Sequence, residues 1–214
     1  MIVLAIDTCL AASSAAVIDG DRTLASRTEP MTRGHQEALG GIVRETMAQA
    51  GVDFASLDRI AVTVGPGSFT GLRVGLAFAK GLAVALNIPC IGIGTLEALA
   101  EGRDEPRIAT IDAKKGQIYW QAFEGDAPLN DPAVDGIGEV GVAARWVFAN
   151  DDPLIMGSGE PLLSPLVPGA YCDGPLLAVA DPAAIARLGA KADPAVAQPV
   201  PLYLRPPYAT LPDA

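Results

Sequence analysis

A glycine-rich turn, Gly65-Pro-Gly-Ser-Phe-Thr-Gly-Leu-Arg73, contains the residues best suited to bind a ligand or a partner through the backbone. It joins an apolar run at residues 60–64, a predicted strand, to a longer apolar run at residues 69–86, a predicted helix. Free N–H groups at the start of a helix can bind a phosphate. Glycines can instead let another helix approach closely. The sequence leaves both uses open.

Two phosphate-binding motifs can be compared with this turn. A P-loop ends in Gly-Lys-Ser/Thr, but here Gly71 is followed by Leu72 and Arg73. A dinucleotide fingerprint is closer, because Gly65, Gly67 and Gly71 follow a predicted strand and open a predicted helix. However, the interval between Gly67 and Gly71 is one residue longer than in the common form of the fingerprint. The fingerprint also normally lies in the first strand–helix unit. The sequence excludes a P-loop and disfavours a dinucleotide site.

The predicted helix at residues 69–86 is apolar on nearly all sides. Its clearly polar residues are Thr70, Arg73 and Lys80. Such a helix must be buried on most faces, and two charges within it argue against a membrane span. Gly71, Gly75 and Ala79 recur every four residues and form one smooth stripe. This stripe is suited either to packing inside the monomer or to a subunit interface.

Composition narrows the class of protein. The 214 residues suit one large domain or two small lobes, and the net charge of −10 disfavours a large direct contact with nucleic acid. Cys9, Cys90 and Cys172 are widely spaced and form no CxxC motif, as expected of reduced thiols. The N-terminal residues are predicted to form a strand and not a signal peptide. We therefore expect a cytoplasmic protein.

The first hundred residues have the predicted element order β-β-β-α-β-α-β-α. The strands are at residues 2–6, 13–18, 23–28, 60–64 and 90–93, and the helices at 35–50, 69–86 and 95–100. This order resembles the core of the actin, Hsp70 and sugar-kinase (ASKHA) superfamily, an α/β fold with two lobes. We assign residues 1–102 to the first lobe and residues 103–214 to a shorter second lobe.

The start of the second lobe has the same predicted pattern of strands as the start of the first. A strand at 108–111 ends in Asp112, as the strand at 2–6 ends in Asp7, and the turn Lys114-Lys115-Gly116 leads into a paired strand at 117–123. This similarity suggests an internal duplication. The remaining predicted elements are helices at 140–148 and 182–190, a strand at 154–156 and an extended proline-rich tail at 199–207.

The two strand-end aspartates have two interpretations. In nucleotide-binding members of the superfamily, such residues face the metal and phosphates. Here residues 9–12 after Asp7 lack the glycines that let backbone amides surround a phosphate. The simpler interpretation is that Asp7 and Asp112 accept hydrogen bonds from backbone amides. Lys114 and Lys115 are expected to be solvated, with contact to a nucleotide in an assembled complex as the alternative.

His35 is the single histidine of the chain. One imidazole without a cysteine or carboxylate cluster does not form a zinc or iron site, so no metal is expected. No serine or cysteine nucleophile shares a local motif with His35. Ordinary surface hydrogen bonds, or contact with a partner subunit, are its expected roles.

Five segments together resemble the TsaB (YeaZ) family. They are Ile6-Asp7-Thr8, Arg33-Gly34-His35, the turn Gly65 to Arg73, Asp112-Ala-Lys-Lys-Gly116 and Leu202-Tyr203-Leu204-Arg205. The resemblance implies one component of the bacterial machinery that forms N6-threonylcarbamoyladenosine at position 37 of tRNAs. It further implies a heterodimer with the related subunit TsaD, which the ATPase TsaE joins, and only indirect contact with tRNA. No membrane is implied.

The same resemblance implies a subunit that is not an enzyme. TsaD-type proteins carry a His-x-x-x-His metal site, and the matching segment here is Thr95-Leu-Glu-Ala-Leu99. We therefore expect no catalytic residue, and a role as required partner of the TsaD threonylcarbamoyltransferase. No cofactor is expected in the isolated chain. ATP or ADP is allowed in the assembled complex, with Asp7, Thr8, Asp112 and Lys115 as candidate contacts.

The expected interface is a four-helix contact between the helices at 35–50 and 69–86 and the same pair in TsaD. Gly71, Gly75 and Ala79 are predicted at the close crossing. The surrounding interface residues are His35, Leu39, Ile42, Val43, Phe69, Leu72, Phe78 and Leu82. Without TsaD this surface is expected to form a homodimer, and Gly75→Leu to abolish pairing while the monomer still folds.

Three other functions remain as alternatives: a free-standing ATP-dependent small-molecule kinase of the same superfamily, a peptidase-like protein and a Rossmann dehydrogenase. Tight ATP binding by the isolated chain would favour the kinase. A peptidase would need a Ser/His/Asp or metal constellation. A dehydrogenase would bind a nicotinamide cofactor.

Overall fold

The computed structural model describes residues 1–149, 151–172 and 179–205. The first sheet contains β1 (Ile2–Asp7), β2 (Ala12–Asp19), β3 (Arg22–Pro30), β4 (Arg59–Thr63) and β5 (Cys90–Ile93). Their order is β3-β2-β1-β4-β5, with β1, β2 and β3 antiparallel and β4 parallel to both β1 and β5. Each strand lies within two residues of its predicted bounds.

The second sheet is built from β6 (Arg107–Lys114), β7 (Gln117–Glu124), β8 (Ala127–Pro128), β9 (Ala133–Gly136) and β10 (Leu154–Met156). Its order is β10-β6-β7-β8, and β9 also pairs with β7. β10 is parallel to β6, as β4 is parallel to β1, and β7 is antiparallel to β6, as β2 is to β1. The shared order supports the predicted internal duplication.

The helices of the described residues are α1 (His35–Ala50), α2 (Phe69–Leu86), α3 (Thr95–Ala100), α4 (Ile137–Val147), α5 (Glu160–Leu163) and α6 (Pro182–Lys191). The predicted bounds of α1, α2 and α3 are confirmed. Helix α4 begins three residues earlier than predicted, because the Glu139 side chain accepts a hydrogen bond from the Gly136 amide and stabilises an earlier start.

Helices cover both faces of the first sheet. Leu4 and Ile6 of β1 belong to the core formed with α1 and α2, whereas Val3 and Ala5 pack in a second core with Ile185 of α6. Successive side chains of a strand point to opposite faces. A strand covered on both faces therefore consists of consecutive apolar residues. This explains the apolar run at residues 2–6.

Helix α6 packs on the first sheet, although the predicted domain division assigns it to the second lobe. A β-carbon on Gly189 would lie within 3.0 Å of the Ala61 side chain in β4. The Arg59 guanidinium donates to the carbonyl of Ala192 over 2.7 Å. The division at residue 102 therefore separates the two sheets but not the helices that cover them.

The C-terminal tail passes along the first lobe and reaches the second. The Gly92 amide donates to the Ala197 carbonyl over 2.9 Å, and the Leu202 amide donates to the Val64 carbonyl over 2.7 Å. Residues 199–205 contain neither helix nor strand, as predicted, whereas residues 206 and 207 of the predicted tail lie outside the described residues.

Among the described residues, α2 is the one helix long and apolar enough to cross a membrane by length and composition. It lies on the first sheet, and a third of its residues are buried. Its remaining faces are thus more apolar than packing on the sheet requires.

Candidate functional site

The glycines of the Gly65–Arg73 turn contact the backbone of this chain itself. A β-carbon on Gly67 would lie within 3.0 Å of the Cys9 carbonyl oxygen, and one on Gly71 would lie within 3.0 Å of the Thr8 carbonyl oxygen. A β-carbon on Gly75 would lie 2.5 Å from the Thr8 hydroxyl oxygen. Real β-carbons essentially never come so close. The turn therefore packs against the end of β1, where neither a phosphate nor a second helix fits.

Hydrogen bonds fix the same contact. The Thr8 hydroxyl donates to the Gly71 carbonyl over 2.6 Å, and the Ser68 amide donates to the Cys9 carbonyl over 2.7 Å. The Ser68 hydroxyl oxygen also accepts from the Gly71 amide and caps the start of α2. The motif thus fixes the position of α2 relative to β1.

This geometry corrects part of the predicted interface. Gly71 and Gly75 pack against Thr8 at the end of β1, and Gly71, Gly75 and Ala79 are all buried inside the monomer. They cannot lie at a crossing with a partner helix. The predicted behaviour of Gly75→Leu is also wrong, since a leucine there would overlap Thr8 and prevent the native packing of α2.

Asp7 and Thr8 are enclosed by this packing. Asp7 is 0% exposed, and its Oδ1 accepts from the Cys9 amide over 2.9 Å and from the Thr63 hydroxyl over 2.5 Å. Its Oδ2 has no hydrogen-bond partner among the described residues. Burial raises the pKa of this carboxyl despite the two hydrogen bonds. In this conformation neither Asp7 nor Thr8 can contact a nucleotide, which differs from the expected role.

Asp112 makes a similar turn but remains accessible. Its Oδ1 accepts from the Lys114 amide over 2.7 Å, two residues along, as Asp7 does from Cys9. Its Oδ2 accepts from the Lys114 ammonium over 2.5 Å. Partial burial acts to raise the pKa of Asp112, but the hydrogen bonds and charge of Lys114 outweigh it and lower the pKa. Both Asp112 and Asp7 thus accept a backbone amide, as the simpler interpretation predicts.

His35 is buried, which differs from the expected surface or interface position. Its Nδ1 shares a 2.8 Å hydrogen bond with the Ser13 hydroxyl, so the side chain joins the start of α1 to β2.

Within residues 1–149, 151–172 and 179–205, no group of three or more His, Cys, Asp or Glu side chains could hold a metal ion.

Several other predicted interface residues also belong to the core. Leu39, Ile42 and Val43 of α1 and Leu72 of α2 are buried against the first sheet. They face inward because the i, i+3, i+4 apolar stripe of a helix packs on its own sheet. The corrected surface therefore lacks these four side chains.

The outer surface of α1 and α2, which we call the outer face, contains three of the predicted interface residues. Phe69 is 44% exposed, and Phe78 and Leu82 are partly exposed. The outer face also includes residues that the sequence analysis missed: Gly40, Gly41, Ala77, Gly81 and Val84, of which Val84 is 81% exposed. The repeat of Ala77 and Gly81 four residues apart is the signal that could have identified it.

The glycines of the outer face are not required by the fold of this chain. A β-carbon on Gly41 or on Gly81 would meet nothing within 4 Å. A glycine inside a helix costs about 0.5–1 kcal/mol relative to alanine. Smooth, open positions of this kind allow a neighbouring helix to approach closely.

A groove runs between the N-terminal halves of α1 and α2, with a volume of about 490 Å³. Its lining includes Gln36, Phe69, Arg73, Ala77 and Phe78. The Arg73 guanidinium lies 3.8 Å from the centre of the Phe69 ring, and its Nε donates to the Tyr203 hydroxyl over 3.2 Å. The rings of Phe69 and Tyr203 are 5.5 Å apart. Tyr203 of the tail therefore contacts two of the residues that line the groove.

Comparisons with known proteins match this fold. A family model described as TsaD: tRNA N6-adenosine threonylcarbamoyltransferase matches residues 23–140. The tRNA threonylcarbamoyladenosine biosynthesis protein TsaB of Escherichia coli K12 is 34% identical over 131 residues, which cover 59% of this chain and 56% of that protein. The chain spans about half the length of the first curated relatives it matches.

Solved structures match over nearly the whole chain. An uncharacterized Pseudomonas aeruginosa protein with similarity to peptidase YEAZ is 28% identical, with a TM-score of 0.81 over 95% of this chain and 99% of that one. Component A of (R)-2-hydroxyglutaryl-CoA dehydratase from Acidaminococcus fermentans is 11% identical, with a TM-score of 0.53 over 88% of this chain and 96% of that one. The second likeness concerns the fold alone.

Proposed function

Because this chain belongs to the TsaB (YeaZ) family, we propose that it takes part in forming N6-threonylcarbamoyladenosine in tRNA. In this proposal it is a subunit without catalytic residues. It binds a TsaD-type partner through the outer face, and the partner performs the transfer.

The observation that carries the proposal is the smooth, apolar part of the outer face, although Arg73 and Lys80 of α2 are also exposed there. Phe69 and Val84 expose large apolar surface, while Gly41, Ala77 and Gly81 leave room for close helix approach. Contiguous exposed apolar surface usually marks an interaction site. Side chains that pack at native density could then exclude water along both helices.

The family match supports a related chain as the partner. The segment that matches the TsaD model, residues 23–140, includes both α1 and α2. A TsaD-type protein is therefore expected to present a similar helix pair, and two similar pairs can pack around an approximate twofold axis. The same reasoning leads us to propose a homodimer through the outer face when no partner is present.

The residues of α3 support a role without catalysis. Thr95 and Leu99 occupy the positions where TsaD-type proteins are expected to carry metal-binding histidines, and both side chains are buried. Neither residue type binds zinc or iron as imidazole does. Transfer chemistry that needs this metal therefore belongs to the partner.

The enclosure of Asp7 bears on the kinase alternative. A phosphoryl-transfer site needs carboxylates open to the metal and phosphates, whereas Asp7 lies beneath the Gly65–Arg73 turn. We propose that the isolated chain does not bind nucleotide. ATP or ADP in the assembled complex, at the exposed Asp112 and Lys115 turn, and recruitment of a TsaE-type ATPase remain proposals from the family. Calorimetry with ATP and magnesium on the isolated chain distinguishes the kinase from this proposal.

The central experiment is co-expression with the TsaD-type protein of the same organism. Gly81→Leu should reduce co-purification strongly, because a leucine side chain there would separate the two helix pairs. Gly20→Leu is unsuitable as a control, since Gly20 has φ 57°. Lys191→Leu on α6 instead adds the same apolar side chain at an exposed position far from the outer face.

Modification of tRNA is then assayed with each subunit omitted. We expect no threonylcarbamoyladenosine when this chain is absent, and a reduced yield with Gly81→Leu. Unchanged pairing of Gly81→Leu would reject the outer face as the interface. Full modification without this chain would reject the proposed role.

A further inference from the structure

The charged side chains of α2 are all basic. The helix contains Arg73 and Lys80 and neither Asp nor Glu, although the net charge of the chain is −10. Both side chains are exposed. In the part of the chain that the structure describes, neither forms an ion pair with a carboxylate. Helix α2 therefore carries two positive charges that no described carboxylate neutralises.

Both charges lie in the same stripe as the small residues of the outer face. Residues three, four or seven positions apart share one side of a helix. Arg73 is four residues before Ala77, and Lys80 is three residues after Ala77 and directly before Gly81. All four residues are exposed. A partner helix that packs on Ala77 and Gly81 must therefore meet both charges.

The position of the Arg73 side chain is fixed while its charge is retained. Its guanidinium stacks on the Phe69 ring at 3.8 Å, and its Nε donates to the neutral Tyr203 hydroxyl over 3.2 Å. Among the described residues this is the hydrogen bond that the guanidinium makes, so Nη1 and Nη2 remain available beside the groove. A guanidinium held in this way can bind a carboxylate through two parallel hydrogen bonds.

Helix α1 adds little net charge to the outer face. Glu37 and Arg44 are exposed, four residues before and three residues after Gly41, and one charge offsets the other. Glu45 instead pairs with Arg27 of β3 over 2.7 Å. The outer face therefore has a net positive charge on an acidic chain.

A second copy of this chain would bring like charges together. In a twofold contact at Ala77 and Gly81, Lys80 of each copy lies within one helical turn of the crossing. Packed helices lie about 8–10 Å apart, and charges at that distance still interact, because the Debye length is about 10 Å in about 0.1 M salt. A partner with carboxylates at the facing positions gains attraction where a second copy meets repulsion.

We propose that Arg73 and Lys80 select the partner of the outer face, which is a TsaD-type chain with carboxylate side chains opposite them, in preference to a second copy of this chain. The inference rests on the proposed function and adds the chemistry that distinguishes the heterodimer from the homodimer. Apolar packing contributes to both assemblies, whereas the two charges have opposite effects on them. Salt therefore strengthens the homodimer and weakens the heterodimer.

The first experiment measures both assemblies between about 0.05 and 0.5 M sodium chloride, a range over which screening changes greatly. Sedimentation of the isolated chain gives the dissociation constant of the homodimer. Binding to the immobilised TsaD-type protein of the same organism gives that of the heterodimer. We expect the first constant to fall and the second to rise as salt increases. A homodimer that salt weakens, or a heterodimer that does not respond to salt, would overturn the inference.

The second experiment repeats these measurements on variants. Lys80→Gln should tighten the homodimer about threefold to tenfold at low salt and weaken the heterodimer by a similar factor. Arg73→Gln should shift both constants in the same directions. Lys80→Arg keeps the charge and should retain the wild-type constants. Thermal unfolding checks that each variant is folded.

Lys191→Gln on α6 is the matched control, because it changes the net charge equally at an exposed position away from the outer face. It should leave both constants unchanged. If Lys191→Gln has the same effect as Lys80→Gln, overall charge explains the selectivity and the inference is rejected.

Gly81→Leu keeps this inference apart from the proposed function, because it blocks the outer face by size and should weaken both assemblies. If it does so while Lys80→Gln and Arg73→Gln change neither constant, the outer face is the interface and charge selection is wrong. Normal pairing of Gly81→Leu would instead reject the interface itself.

Discussion

The carbonyl oxygen of Thr8 lies where a β-carbon on Gly71 would have to be. The contact joins the end of β1 to the first turn of α2, and the Thr8 hydroxyl donates back to the Gly71 carbonyl over 2.6 Å. The most distinctive motif of the sequence is therefore part of the internal packing. Its function is to hold one of the two proposed docking helices in place.

Gly71→Ala should destabilise the chain severely. The added methyl group would force apart α2 and β1, and overpacking of this kind costs about 1–3 kcal/mol or more. Gly81→Ala is the matched control on the same helix, where the methyl group meets open space and should stabilise by about 0.5–1 kcal/mol. Urea unfolding of both variants gives the comparison, and equal midpoints would contradict the packing described.

Asp7 should make stability depend on pH. Burial raises the pKa of Asp7 in the folded chain above the ordinary value of 3.8. The folded state therefore binds more protons than the unfolded state above that value, and its stability falls as pH rises towards the folded pKa. Asp7→Asn cannot ionise and should gain stability relative to the wild type as pH rises from 3.8 towards the folded pKa of Asp7. If the difference in unfolding free energy between Asp7→Asn and the wild type stays constant over this range, Asp7 does not titrate in it.

Ser13 and Ser14 should respond oppositely to the same substitution. Ser13→Ala removes the hydrogen-bond partner of the buried His35 ring and should cost about 1–3 kcal/mol. The buried Ser14 hydroxyl has no partner among the described residues, so Ser14→Ala should be neutral or stabilising. Thermal unfolding distinguishes the two. Equal losses would mean that the His35 contact contributes nothing specific.

The three cysteines should differ in reactivity towards a thiol reagent at pH 8. Cys172 is exposed and should react first. Burial raises the pKa of Cys90 to about 11, so its thiolate is scarce and its reaction slow. Burial also raises the pKa of Cys9, whose thiol lies in the core and should react only on unfolding. Rapid labelling of Cys9 in the folded chain would contradict the enclosure of the Thr8–Cys9 turn.

Local patterns in the sequence predict the elements well. Helix α1 lies between Gly34 and Gly51, both in the left-handed conformation, and α2 lies between the Ser68 cap and Asn87. These residues act within one turn of their own helix, so their effect can be read from neighbouring positions. The order of the elements then predicts the superfamily fold.

The orientation of α2 could not be predicted in the same way. Two sets of small residues recur at four-residue intervals, one beginning at Gly71 and the other at Ala77. Since the helix is apolar on nearly all sides, periodicity does not show which set faces the sheet. The contact with Thr8 decides it, and that residue lies more than sixty positions earlier. The same long range explains why the position of α6 was missed.

The packing of α6 on the first sheet also limits how far the chain can fold while it is being synthesised. Val3, Ala5 and Ile91 pack in a core with Ile185, so one side of the N-terminal sheet stays partly uncovered until residues 182–191 have been translated. Such exposed apolar surface is prone to aggregation. The first sheet therefore cannot reach its final stability before α6 has been made and has packed on it.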